Sequence, residues 1–437
     1  MAEAVAAPGL VLAAPASGSG KTVTVLALLR HFSRSGLQVE SRKVGPDYID
    51  PLFHAAASGR PCLNLDPWAM RPGTLARLAE ADAELLVIEG VMGLFDGAAD
   101  GSGSTADLAV LAGWPVVLVV DAKSQAQSVA ALVHGFASFR RDVTVSGVIL
   151  NRVGSPRHGA LLRAALEPLG IPVLGALPRL EALELPDRHL GLVPAGEHAG
   201  LDAFLDRAAD AVARHVDTAA LRRLARPAEF PAEAGDTMLP PPGQRIAVAR
   251  DEAFVFAYPH LLASWTAQGA ELVPFSPLAD EAPDGRADAV FLPGGYPELH
   301  ARRLAGAARF LDGTRAAAER GAVVYGECGG YMVLGRVLED GDGVRHAMAG
   351  LLPIETSFAK RRLHLGYREA VAVSATPFGP GGTMLRGHEF HYASITAEEA
   401  DTPLFRVRDA NGADLGGMGT RRGTVMGSFL HVVDAGE

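Results

Sequence analysis

The chain predicts an α/β fold with mainly parallel sheets, and three observations carry that expectation. Short apolar runs alternate with longer amphipathic stretches, each run ends in Gly, Asp, Glu or Asn, and the alternation restarts after a proline-rich break. Strand–helix alternation implies right-handed crossovers and a sheet covered on both faces. At 437 residues the chain exceeds one ordinary core, so two or three domains are expected.

The expected strands of the first half are "GLVLAAP", "QVESRKVG", "ELLVIEGV", "PVVLVVDA" and "VSGVILNRV", with helical stretches such as "TVTVLALLRHFSRSG" and "AQSVAALVHGFASFRRD" between them. Ligands of such sheets bind beyond the carboxyl ends of the strands. "RPAEFPAEAGDTMLPPPG" has no periodicity and reads as a linker over 226–243, separating a domain over 1–225 from a second α/β domain over 244–437. The second begins with "QRIAVARDEAF", "AELVPFS", "ADAVFLPGG" and "GAVVYGECGG", and from about 345 β signals dominate.

Composition excludes several classes. Apolar residues at 48% and charged residues at 21% are ordinary for a soluble globular protein. Two cysteines make neither a disulfide framework nor a thiolate metal cluster. The start lacks a basic n-region and reads as no signal peptide. No uncharged stretch reaches the roughly 18 apolar residues of a spanning helix. A net charge of −10 argues against nucleic acid as a partner. The expectation is a soluble cytoplasmic protein with no membrane partner that could form a homodimer.

"APASGSGKTVTVLALL" follows the first strand and opens a helix, the context that a phosphate-binding loop requires. Backbone N–H groups of Ser17, Gly18, Ser19, Gly20, Lys21 and Thr22 can cradle phosphates at the positive end of a helix. Lys21 would reach the β- and γ-phosphates and the Thr22 hydroxyl would bind Mg²⁺. The strict pattern wants Gly where Pro15 stands, but the core of the motif is intact. For the metal, Glu89 is the favoured acid and Asp121 the alternative. Asn151, at the end of another strand, could read an adenine edge. "RKVGPDYIDPLFH" crowds Lys43, Asp47, Tyr48 and Asp50 between Gly45, Pro46 and Pro51, and reads as an active-site loop.

"GAVVYGECGGYMVLG" places Cys328 in a turn between a strand and a helix, the elbow that presents a nucleophile. Gly326, Gly329 and Gly330 permit the bend, and the helix N-terminus is expected to lower the thiol pKa and give thiolate at neutral pH. The base could be His431, His388 or His391. Gly294 and Gly295, with Tyr296, offer backbone N–H groups for an oxyanion hole. Cys62 lacks such a setting and reads as structural.

In the order "ASGSGKT", "KVGPDYIDP", "VIEGVMGLFDG", "LPGGYPE", "YGECGGYMVLG" and "GHEFHYA", the motifs span nearly the whole chain. On them the chain resembles the cobyrinic acid a,c-diamide synthases, glutamine-dependent enzymes of corrin biosynthesis that include those acting on hydrogenobyrinic acid. The resemblance implies a dethiobiotin-synthetase-like, ATP-using N-terminal domain and a class I glutamine amidotransferase-like C-terminal domain. It implies Cys328 as nucleophile with His431 activating it, Lys21 and Thr22 holding ATP·Mg²⁺, and Asp47 and Glu89 completing the metal and phosphate site. Tyr48, Asp50 and Asp96 would face the tetrapyrrole, with Lys43 beside them. The partners are then a corrin, glutamine and ATP. Many class I amidotransferases carry Glu two residues after the histidine, where this chain has Val433. Rival readings are cobyric acid synthase, a diamide synthase for a nickel tetrapyrrole, and a P-loop switch ATPase. Switch ATPases usually carry a lysine where Ala16 stands.

Overall fold

The computed structural model describes residues 7–179, 187–188, 191–192, 200–231, 238–399 and 402–436. Two compact units emerge, one over 1–68, 72–97 and 101–236, the other over 69–71, 98–100 and 237–437. Of the expected linker, residues 232–237 lie outside the described set. The part before them packs on the first unit: Arg226 pairs with Gly9, Glu229 N–H donates to the Ala112 carbonyl, and Phe230 meets Trp114 edge-on.

The first unit is a seven-stranded parallel sheet: β1 (Gly9–Ala13), β2 (Val39–Val44), β3 (Cys62–Leu65), β4 (Leu85–Glu89), β5 (Val116–Asp121), β6 (Val145–Val153) and β7 (Val173–Pro178), ordered β3-β2-β4-β1-β5-β6-β7. "LVLA", "LLVI" and "VVLVV" are buried throughout, because helices cover both faces. Those helices are α1 (Lys21–Arg34), α2 (Asp50–Ser58), α3 (Pro72–Ala79), α4 (Thr105–Leu111), α5 (Ser128–Ser138), α6 (Pro156–Leu166), α7 (Leu201–His215) and α8 (Thr218–Leu224). A short antiparallel pair, β8 (Asp187–Arg188) and β9 (Gly191–Leu192), lies between β7 and α7 in the chain. The strand order reverses at β1, whose neighbours are β4 and β5, so a crevice opens beyond the carboxyl ends of these strands.

The second unit carries three sheets. The first joins β10 (Arg245–Ala249), β11 (Glu271–Phe275), β12 (Ala289–Leu292) and β13 (Val323–Glu327) in parallel, and continues into two late strands. Its helices are α9 (Pro259–Ala267), α10 (Ala301–Gly306), α11 (Ala308–Glu319) and α12 (Gly329–Leu334). From β14 (Val337–Glu339), β15 (Arg345–Ala347) and β16 (Ile354–Ser357) onward the chain is β-rich. It runs through β17 (His364–Ala372), β18 (Met384–His391), β19 (Ser394–Glu398), β20 (Phe405–Asp409), β21 (Asp414–Met418), β22 (Thr420–Arg422), β23 (Val425–Ser428) and β24 (Leu430–Ala435). The large sheet is ordered β11-β10-β12-β13-β23-β22 and the antiparallel one β21-β20-β17-β18-β24; the third is β15-β14-β16-β19. Because β23 runs straight into β24, the chain leaves the large sheet beside the end of β13 and joins the antiparallel one. Among the described residues no helix is long and apolar enough to cross a membrane.

Candidate active sites

In the first unit the turn from β1 into α1 is left-handed at Gly18 and Gly20, with φ of 78° and 83°, a conformation costly for a residue with a Cβ. A Cβ on Gly20 would also stand 2.1 Å from Asn151 Nδ2. Asn151 Nδ2 donates to the Ser19 carbonyl at 3.0 Å, and Arg152 donates to the Gly18 carbonyl at 2.8 Å. Asn151, expected at an adenine edge, also braces the loop, and its Oδ1 accepts from Arg152 N–H at 2.9 Å. Asp121, the alternative metal acid, is engaged by Arg152 at 2.6 Å. Beside the loop lies a cavity of about 230 Å³ whose walls include Gly20, Val23, Ala27, Asn151, Arg152 and Leu177.

Behind the loop sits a buried cluster of charges. Thr22 Oγ1 donates to Glu89 Oε1 at 2.6 Å, and Lys43 Nζ donates to the same oxygen at 3.0 Å and to Asp50. His54 Nε2 meets Glu89 Oε2 at 2.6 Å, and its Nδ1 lies 3.5 Å from Cys62 Sγ. Lys21 Nζ donates to the Met92 carbonyl at 3.0 Å. Asp50 and His54, four residues apart on α2, share one helix face, which directs both toward the ends of β2 and β4. Asp47 lies just before that helix, and its Oδ1 accepts from Ile49 and Asp50 N–H groups at 2.7 and 3.2 Å.

Burial works against charge at Glu89, but Lys43 and His54 overcome it and hold the carboxyl well below the usual range. Burial likewise opposes the Lys43 ammonium, and Asp50 and Glu89 hold it charged. Two acids share that one ammonium. Burial and the charge of Asp47 push Asp50 up to about 7, against the pull of Lys43. Burial and the like charge of Lys43 bring Lys21 down to about 8.

The structure gathers Lys21, Thr22, Lys43, Asp50 and Glu89 in one place. Lys43 and Asp50, expected to face the substrate, are instead turned into the buried cluster, since two carboxylates and an ammonium neutralise one another there. Tyr48 is half-buried, and exposed Asp96 accepts from Gly93 N–H at 2.8 Å. Sequence reasoning missed His54, although its spacing from Asp50 was a usable signal. It also left Cys62 out of the network that Cys62 joins through His54.

In the second unit Cys328 has φ 48° and ψ −102°, a strained elbow between β13 and α12. The surrounding glycines are steric requirements: a Cβ on Gly330 would stand 1.9 Å from the Leu292 carbonyl, and one on Gly326 2.8 Å from Tyr331 N. Cys328 N–H donates to the Ser428 carbonyl at 2.8 Å, and the thiol points to the Phe390 carbonyl at 3.8 Å. His431 is fully buried on β24, and a Cβ on Gly294 would stand 2.4 Å from its Cε1. The Gly295 amide faces the elbow, 3.0 Å from where a Cβ of Gly329 would be. His388 pairs with His431 across β18 and β24, while His391 Nε2 meets Glu389 Oε1 at 2.9 Å.

The ionisation of the thiol requires a correction. Burial, then the charge of Glu298, push the Cys328 thiol well above its usual value against the help of the Gly329 N–H, so the resting group is a thiol. α12 has only six residues, too weak a dipole to offset removal from water. His431 is lowered to about 3 by burial and then by His388 and His391.

Residues 10–193 match the CobQ/CobB/MinD/ParA nucleotide binding domain, and residues 245–436 match the CobB/CobQ-like glutamine amidotransferase domain. The chain is 61% identical over 431 residues to the hydrogenobyrinate a,c-diamide synthase of Brucella suis biovar 1 (strain 1330), covering 98% of each. Identity to the enzyme of the same name from Rhizobium meliloti (strain 1021) is 57% over 433 residues, 98% of this chain and 100% of the relative. For that of Rhodobacter capsulatus it is 56% over 431 residues, 97% and 98%.

Proposed function

This chain belongs to the hydrogenobyrinate a,c-diamide synthase family, and from that premise we propose that it amidates the a and c acetate carboxylates of hydrogenobyrinic acid. It is a ligase with a nucleotide-binding domain and a glutamine amidotransferase domain, and ATP is its cosubstrate. The relatives do not favour cobyric acid synthase or a switch ATPase.

A carboxylate cannot lose oxide to ammonia directly. ATP transfers its γ-phosphoryl group to an acetate oxygen, giving an acyl phosphate and ADP; ammonia then attacks the acyl carbon and phosphate leaves. Lys21, beside the loop, stabilises the charge on the transferring group. Thr22, Glu89 and Asp47 present the hard oxygen donors that Mg²⁺ prefers, with the Thr22 hydroxyl already 2.6 Å from Glu89, so these residues fit the cation. When bound, it neutralises phosphate charge. Lys43 and His54 keep Glu89 ionised and oriented for that role, with Asp50 anchoring Lys43. Tyr48 and Asp96, at the rim, face the tetrapyrrole.

In the second unit the Cys328 sulfur attacks the side-chain carbonyl of glutamine while His431 takes the thiol proton. The Gly294–Gly295 turn receives the oxyanion. His431 returns the proton to the departing ammonia, and water hydrolyses the thioester to glutamate. The requirement for ATP and glutamine fits a cytoplasmic location.

The observation that carries this reading is the strained Cys328 elbow with His431 on the strand that follows β23, in a chain whose other unit holds Lys21, Thr22 and Glu89 together. The test is the mass of the product formed from hydrogenobyrinic acid with ATP, Mg²⁺ and glutamine. A diamide, with two ATP consumed per corrin, is expected. Amidation of further carboxylates, or no glutamine-dependent product, would overturn it.

A further inference from the structure

A buried imidazole that must accept a proton at one nitrogen needs an acceptor at the other, or it adopts the wrong tautomer and cannot hold its charge. Position 433, where an acid was sought, is Val433, and its backbone carbonyl already accepts from His260 Nε2 at 2.9 Å. The groups around His431 can be taken in turn. The charges of His388 and His391 on β18 oppose an imidazolium at His431. Glu389 is committed to Arg368 at 2.7 Å and to His391. One acid remains. Glu327 closes β13 immediately before the nucleophile, and its Oε2 lies 3.8 Å from His431 Nδ1.

We propose that Glu327 is the positioning acid of the glutaminase centre, orienting His431 through Nδ1; this rests on the roles given above to Cys328 and His431. The carboxyl is held by the strand that carries the histidine, because its Oε1 accepts from Val432 N–H at 3.2 Å. Both side chains are buried, with 1% and 3% of their surface exposed. A separation of 3.8 Å exceeds a hydrogen bond, but such contacts are commonly long in enzymes without substrate and shorten as charge develops.

The pair also sets a condition on the reaction. An ionised Glu327 accepts from Nδ1–H and leaves Nε2 open to the thiol proton. A protonated Glu327 donates to Nδ1 and places the imidazole hydrogen on Nε2, where it blocks the transfer. Burial raises the Glu327 carboxyl to about 8, opposed by the Val432 N–H, so activation belongs on the alkaline side. The apparent pKa is a property of the pair, with Cys328, Tyr325, Glu298, His388, His391 and Glu389 contributing.

The experiment compares wild type, Glu327→Gln and Glu327→Asp in the full chain. It measures kcat and KM for glutamine, the pH profile of kcat/KM from about pH 6 to 9.5, and ammonium-supported synthesis, which bypasses this centre and reports folding. Glu327→Gln is expected to lower glutamine-supported kcat by about 10²- to 10⁴-fold, as for tautomer-holding acids elsewhere. KM stays within roughly threefold, the alkaline rise disappears, and ammonium-supported synthesis persists. Glu327→Asp recovers part of the rate and keeps the rise. A Glu327→Gln enzyme with a kcat within about threefold of wild type, or with the alkaline rise intact, overturns the proposal. If Glu327→Gln loses both nitrogen sources, Glu327→Asp decides: a slower enzyme with the rise supports the role, and a wild-type rate with a flat profile refutes it. A wild type without glutamine-dependent synthesis would instead overturn the reading of Cys328 itself.

Discussion

The phosphate site and the cysteine site are both buried, yet they treat charge in opposite ways. Around Glu89, Lys43 and His54 offset burial with partners, and the groups are ionised before any substrate arrives. Around Cys328, burial wins: the thiol is raised, Glu327 is raised to about 8 and His431 is lowered to about 3. The difference follows the chemistry. Phosphoryl transfer needs standing charge to receive a polyanion, whereas a glutaminase with a standing thiolate would be reactive toward any electrophile. The first site is charged at rest; at the second, the thiol and the imidazole become charged only when the substrate engages them.

The comparison can be broken most forcefully at the nucleophile. Cys328→Ala is expected to abolish glutamine-supported synthesis and spare synthesis from ammonium, measured as amide product with each nitrogen source. Loss of both would show that the cysteine site is not confined to ammonia release. Next, Glu89→Gln is expected to lower synthesis from either source by about 10²-fold or more, the scale of one transition-state charge contact. Near-normal ammonium-supported turnover in that variant would move the acid role elsewhere and dissolve the contrast.

Much of this was legible in the sequence because buried parallel strands read as unbroken apolar runs. "LLVIE" and "VVLVVD" announce β4 and β5 with their terminal acids, and the glycines of "SGSGKT" and "GECGG" mark turns that the structure confirms as left-handed or sterically closed. The four-residue β3 and the glycine-interrupted β7 gave no such run. Direction was harder still. Lys43 and Asp50 crowd a loop in the same way whether they face a ligand or each other, and only the fold turns them inward. The state of Cys328 was misjudged because its surroundings are distant in sequence: the thiol points to the Phe390 carbonyl of β18, some sixty residues later in the chain. Glu327 stood in plain view beside the nucleophile, but its partner is set by the passage of the chain from β23 to β24.

Two smaller effects sharpen the contrast. Asn151→Ala removes one neutral hydrogen bond from the phosphate loop, about 1 kcal/mol, and is expected to raise the KM for ATP by about five- to tenfold with the glutaminase reaction unchanged. An unchanged KM would show that the loop holds its shape alone. The smallest effect concerns stability. The folded Glu327 carboxyl titrates above its ordinary 4.5, so the unfolded chain ionises it first and stability drains away as pH rises from about 4.5 to about 8. Glu327→Gln cannot ionise, and its Tm is expected to gain on wild type across that window; parallel Tm curves would show that Glu327 is charged in the fold.

The brace from β6 has one more consequence. Asn151 and Arg152 hold the carbonyls of Ser19 and Gly18 and also form a wall of the adjoining cavity. A nucleotide base seated there would touch the same side chains that keep the loop in shape. Recognition of the base and competence of the triphosphate are then one mechanical event. An ill-fitting base would disturb the loop even with its phosphates correctly placed, so the enzyme would reject a wrong nucleotide by failing to use it, a form of fidelity that affinity alone would not reveal.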